Sequence, residues 1–143
     1  MIVNKYLVHE IGLHRYFGSL EARIMDFFWI SEQLTIKEVH ANLDAVNPIS
    51  FNTVMTVMNR LWDKGHLEKT SQGQGRTKLT HFRAAQTKEN FLIEQTKIVT
   101  HGLVKEFGDL IVTHLVDSLE EVDPLLIQKL QEKLDQLKKR KER

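Results

Sequence analysis

Three short segments, each striped with apolar residues and each opened by its own candidate cap, follow one another between Ser19 and Gly65, and a turn holding two glycines comes soon after. Isolated helices of fewer than about 12–15 residues are marginal in water, so such segments must bury their stripes on each other. In the first, Ser19 to Trp29, residues Leu20, Ile24, Phe27 and Phe28 recur at helical spacing and define a core face. Ser19 is the expected cap, although Ala22 stands where a full capping box has Glu or Gln. The second opens at Thr35 with Glu38 in the reciprocal capping position, turns Ile36, Val39 and Leu43 inward, and stops at Asn47-Pro48. The third is capped by Ser50, buries Val54, Met58 and Leu61 with help from Val57 and Trp62, and ends at Lys64-Gly65.

A change of texture follows. Leu67 to Thr70 and Lys78 to Arg83 read as short strands, with Ser71 to Arg76 as the turn between them. The fold class is therefore mainly α with a small β-hairpin: a winged helix-turn-helix head followed by a helical tail. A plain hairpin packed on a helical bundle has the same outline, so outline alone does not separate the two.

The tail has its own pattern. Phe91, Val99, Leu103, Phe107, Leu110, Ile111 and Leu115 recur at helical spacing between Thr87 and Val116. Asp123 caps a last helix that has Pro124 at its first position and a stripe of Leu126, Leu130, Leu134 and Leu137. Two helices cannot bury both stripes well in a small chain, so a second copy is the economical partner. The alternative is an intramolecular pair folded on the head. The run from Lys138 to Arg143 is a cationic helix end, which suits the helix dipole. The expected organisation is an N-terminal extension (1–16), a winged-helix head (17–85) and a dimerisation tail (86–143). Val3, Leu7 and Ile11, four apart, suggest a further helix in the extension. A head ending near Ala85 is expected to fold alone and to offer no obvious ligand pocket.

Several classes drop out. The chain has no cysteine, which removes disulfides, thiolate metal sites and cysteine nucleophiles, and fits a reducing compartment. No apolar run nears the roughly 20 residues that span a bilayer, and Lys5, His9 and Glu10 interrupt the start, so neither membrane insertion nor a signal peptide is read and the cytoplasm is the expected location. There is no phosphate loop, serine elbow or paired-histidine metal motif, and Gly73-x-Gly75 sits on a hairpin, so the chain does not read as an enzyme.

Net charge is only +1, so any affinity for nucleic acid must be local. The outer face of the third segment carries Asn52, Thr56, Asn59, Arg60 and Asp63, with Thr53 near its start. Such side chains hydrogen-bond base edges or phosphates, and a major groove admits one helix. From Ser50 to Arg83 there are six bases (Arg60, Lys64, Lys69, Arg76, Lys78 and Arg83) against two acids, Asp63 and Glu68. Charge runs are usually plain solvated faces; this excess falls on the reading helix and hairpin that a DNA-binding winged helix needs. The seven histidines raise another reading, a metal- or haem-responsive protein using His9, His14, His101 or His114. Their spacings match no ligand motif, and no cofactor is expected. A winged helix that binds protein is the remaining alternative.

The stretch from Phe17 to Trp29, Thr35-Ile36-Lys37-Glu38-Val39, and Asn52 to Leu61 followed by Lys64-Gly65 resemble the first, second and recognition helices of the penicillinase-repressor family, which contains the beta-lactamase and methicillin-resistance repressors. The resemblance runs from about Phe17 to Leu137. It implies a dimeric repressor that holds double-stranded operator DNA by helix and wing, with Thr53, Thr56 and Arg60 at DNA-contacting positions and Arg76 in the wing; Lys78 extends that basic set. It places the dimer in the tail, where the apolar stripes read above offer Val99, Leu103, Phe107, Leu110, Ile111, Leu126, Leu130 and Leu134 as its residues. It also implies release when a sensor protease cuts the tail. Asn90-Phe91 is a dipeptide of the kind cut in the family, but stands several residues early. The cysteine-rich copper motif of some members is absent.

Overall fold

The computed structural model describes residues 17–142. The elements run α1 (Ser19–Ile30), α2 (Ile36–Asp44), α3 (Phe51–Asp63), β1 (Leu67–Gln72), β2 (Leu79–Ala84), α4 (Lys88–Ser118) and α5 (Pro124–Lys141), with 3-10 turns at Gly75–Thr77 and Leu119–Glu121. The chain divides into two compact units, the first ending at Gln95 and the second starting at Thr96. The expected helix through Val3, Leu7 and Ile11, with His9 and His14, lies outside the described residues.

In the first unit, α1 contributes Ala22, Ile24, Met25 and Phe28 to the core, α2 contributes Val39 and Leu43, and α3 contributes Val54, Val57, Met58 and Leu61. Leu67 and Phe82 seal it from the hairpin side. Each fully buried side chain of this size stabilises by about 1.5–3 kcal/mol relative to exposure. The expected caps of α2 and α3 form: Thr35 Oγ1 accepts from the Glu38 N–H at 3.2 Å, and Ser50 Oγ from the Thr53 N–H at 3.1 Å. At α1 the expectation fails. Gly18 is the cap residue, in extended conformation and without a side-chain bond, and Ser19 is already helical. The helix starts there because Phe17 is anchored in the core, stacked on Phe91 at 5.1 Å between ring centroids.

The end of α3 sets the approach of the hairpin. Gly65, at φ 81°, donates to the Trp62 carbonyl while His66 N–H reaches back to the Leu61 carbonyl, the paired bonds that close a helix on a left-handed residue. The strands pair antiparallel with Lys69 opposite Phe82 and Gln72 opposite Leu79. Both run slightly further towards one end than expected. Leu34, between α1 and α2, exchanges both backbone bonds with Phe82 at 3.0 and 2.8 Å, so a third segment steadies the wing against the helices.

The first turns of α4 also belong to the head, which therefore extends past the expected boundary at residue 85. Thr87 Oγ1 caps the helix at the Asn90 N–H, and Phe91 and Gln95 are buried. Within the second unit, α4 has non-helical backbone angles at Phe107 (φ −127°, ψ 30°), and Asp123 caps α5 through the Leu125 N–H at 2.9 Å. No described helix is long and apolar enough to cross a membrane.

Candidate nucleic-acid interface

With Val54, Val57, Met58 and Leu61 turned inward, helical geometry sends Asn52, Thr53, Thr56 and Arg60 outward; all of them are exposed, and Asn59 is half-buried beside them. Their hydroxyls are not equally free. Thr56 Oγ1 donates to the Asn52 carbonyl at 2.8 Å, so its proton is used on its own helix. In that rotamer Thr56 offers outward a methyl group and acceptor lone pairs, which suit a thymine methyl or an amino donor on a base edge. Thr53 Oγ1 lies 2.7 Å from Ser50 Oγ and is part of the cap. Arg60 keeps its five donors for an outside acceptor.

On the hairpin, Arg76 falls in the 3-10 turn at the tip and Lys78 follows it; both are exposed. Gly73 and Gly75 take positive φ there, which keeps the tip narrow. Two of the six bases counted in the sequence are neutralised: Arg83 binds Glu68 across the strands at 2.9 Å, and Lys64 approaches Glu21 at 3.8 Å. Among the described residues Arg60, Lys69, Arg76 and Lys78 have no carboxylate within ion-pair distance. The cationic ground is thus narrower than the sequence count and confined to α3 and the wing.

Trp62 departs from expectation. It is 43% exposed on the flank of α3, with Lys69 Nζ 3.7 Å above its ring. Periodicity placed it in the core because it neighbours Leu61; one step round the helix is enough to bring it out. His66 also escaped the sequence reading. It is buried at the junction of α3 and β1, edge-on to Phe17 at 5.0 Å. Burial, reinforced by the nearby Lys64 charge, holds its imidazole down at about 4, so it is neutral at neutral pH. The head also carries an open groove of about 740 Å³ lined by Asp26, Trp29, Ile30, Arg83, Lys88 and Glu89 among others, where no pocket was expected.

In the tail unit, Leu103, Phe107, Leu110, Leu126 and Leu134 are exposed, and Val99, Ile111 and Leu130 are half-buried. No described residue beyond Gln95 is buried. His101 and His114 are exposed on α4, and no group of three metal-ligating side chains gathers among the described residues.

Residues 17–136 match the penicillinase repressor family. Over 48 residues the chain is 42% identical to the transcriptional regulator BlaI of two Mycobacterium tuberculosis strains, CDC 1551 / Oshkosh and ATCC 25618 / H37Rv; the shared stretch is 33% of this chain and 35% of each relative. Among solved structures, FabT of Streptococcus pneumoniae in complex with DNA aligns at 23% identity and TM-score 0.46, over 94% of this chain and 85% of that one. A PadR family transcriptional regulator from Eggerthella lenta DSM 2243 aligns at 22% identity and TM-score 0.44, over 66% and 82%.

Proposed function

This chain belongs to the penicillinase repressor family of transcriptional regulators, and from that premise we propose that it works in the cytoplasm as a homodimeric repressor on pseudo-palindromic operator DNA. One observation carries the reading. The outward face of α3 carries Asn52, Thr56, Asn59 and Arg60 and the tip of the wing carries Arg76 and Lys78, with the three cations unpaired among the described residues. In the proposed complex α3 lies in the major groove, Arg60 addresses a base edge or phosphate, and Arg76 and Lys78 hold backbone phosphates beside it. Thr53 steadies the start of α3 through its cap. The reading needs no cofactor.

Replacing Arg60 with Ala is expected to weaken specific binding by about 1–3 kcal/mol if its contact is bidentate to a base. Replacing Arg76 should instead weaken all sequences evenly and lower the salt slope by about one unit, as a lost phosphate contact does. Gel-shift titrations at several salt concentrations measure both. Unchanged affinity in the two variants overturns the assignment.

Dimerisation through the tail is the second part of the proposal, supported by the exposed apolar residues of α4 and α5. Repression ends when that link is lost, and a cut by a sensor protease between the wing and α5 is the favoured route. Asn90-Phe91 is a poor place for it, since Phe91 is completely buried in the head. The helix is broken at Phe107, which is exposed and followed by Gly108, so the regular backbone that a protease must open is already interrupted there. Immunoblots through induction should show a shortened chain. Derepression with the chain at full length rejects cutting and favours a ligand acting on the tail, with His101 and His114 as the first candidates.

A further inference from the structure

The pairing of Trp62 with Lys69 is not explained by the core or by the contacts already assigned. Lys69 shares a face of β1 with Leu67 and Ser71, and its cross-strand partner Phe82 is buried, so this is the face that packs on the helices. Lys69 is nonetheless an exposed residue, with its ammonium 3.7 Å from the Trp62 ring centroid and 5.4 Å from that of Phe82. The neighbouring carboxylate, Glu68, points to the opposite face of the strand and is engaged by Arg83. No acid therefore competes for Lys69 among the described residues. The indole attracts the cation through its π face without accepting its N–H bonds as an oxygen does, which fixes the ammonium in place and leaves donors directed outward. Further along the same face, the hydroxyls of Ser71 and Thr80 stand 3.4 Å apart.

The position decides what such a cation meets. A duplex with α3 in its major groove and the wing tip at the adjacent minor groove must run one phosphate strand over the ground between them, because that strand is the wall dividing the two grooves. The pair Trp62–Lys69 bridges the last turn of α3 to the first strand of the wing, on that ground. We propose that Lys69, held by the Trp62 ring, clamps the phosphates of the strand that separates the grooves, with Trp62 as its positioning residue. The proposal rests on the DNA-binding reading above, and it gives the protein a sequence-independent contact that sets how deep α3 enters.

The test uses the full-length protein and a fluorescently labelled mixed-sequence DNA duplex, with anisotropy titrations over a range of salt. Lys69→Gln should reduce the slope of log affinity against log salt by about 0.9 for each chain engaged, and weaken binding about eightfold per chain near 0.1 M salt. Lys69→Arg should restore both, since a guanidinium also stacks on indole. Trp62→Leu should weaken binding while keeping most of the slope, and should add nothing to Lys69→Gln. A wild-type slope and affinity in Lys69→Gln, with the wild-type protein still salt-dependent, overturns the clamp and leaves DNA binding standing. Additive losses from Trp62→Leu overturn the positioning role. Wild-type protein without salt-dependent duplex binding overturns the DNA reading itself, and the clamp with it.

Discussion

Glutamate at both Leu110 and Leu126 in the full-length chain is expected to weaken binding to a two-half-site operator by about 10²–10⁴-fold while the head stays folded. Both residues are exposed in the single chain, and neither belongs to the head core. The substitutions therefore remove no intramolecular packing there. In the proposed dimer they bury charge in an apolar interface, which separates the copies. Each head then binds its half-site alone, and the effective concentration supplied by the linked partner is lost. The contacts proposed for Arg60 and Arg76 are left unchanged, so affinity for an isolated half-site should stay where it was. Light scattering and operator titration on the same samples give the answer. A variant that turns monomeric yet holds the operator as tightly as before contradicts the role given to the tail, and so does a wild-type chain that is monomeric at micromolar concentration.

Replacing Phe91 with Ala is expected to destabilise the head by about 3–5 kcal/mol. The residue is completely buried, its ring stacked on Phe17, tilted against Trp29 at 5.4 Å and edge-on to His66 at 5.9 Å. Trp29 in turn donates from Nε1 to the Gln86 carbonyl at 3.0 Å, which ties the linker before α4 to α1. These contacts join the start of the head, the end of α1, the exit of α3 and the first turn of α4. A marginally stable domain has little more than this to lose. The same reasoning moves the limit of an autonomous head. A chain stopped near Ala85 lacks Phe91 and should be unstable, whereas one that runs through Gln95 keeps the cluster. Denaturant unfolding of the Ala variant and of the two truncations measures this. A loss under about 1 kcal/mol for Phe91→Ala, or equal stability of the two truncations, contradicts it.

The parts that could be read from sequence were those whose cause is local. Thr35, Ser50, Gly65 and the Asp123-Pro124 pair each act within a few residues, and each does in the structure what its position suggested; Glu38 differs, its carboxylate accepting from the Thr35 hydroxyl at 3.1 Å and not from the Thr35 backbone N–H. The aromatic cluster could not be read in the same way. Phe17 and Phe91 are 74 positions apart, and nothing in a helical stripe says that Phe91 is buried while Leu103 and Leu110 are exposed. The Leu34–Phe82 bridge is equally non-local, and it occupies a single residue on one side. At the interface, residue types pointed to α3 and the wing, and the structure brings Arg60, Arg76 and Lys78 out unpaired. What the types could not reveal was how each group is already employed. Thr56 has used its proton on Asn52, Thr53 belongs to the cap, Arg83 and Lys64 are neutralised, and Lys69 is seated on an indole that periodicity had placed in the core. Those depend on rotamers and cross-element distances.

Selection of bound duplexes from a random-sequence DNA pool by the purified full-length protein tests most directly whether this chain reads DNA through α3. The expected outcome is enrichment of a pseudo-palindrome whose half-sites are centred about 10 base pairs, or a multiple of that, apart. Arg60→Ala protein should lose preference at the position this side chain addresses in each half-site, and recovery should fall steeply as salt rises. A pool that stays random after repeated rounds, or one enriched identically by wild-type and Arg60→Ala protein, contradicts it.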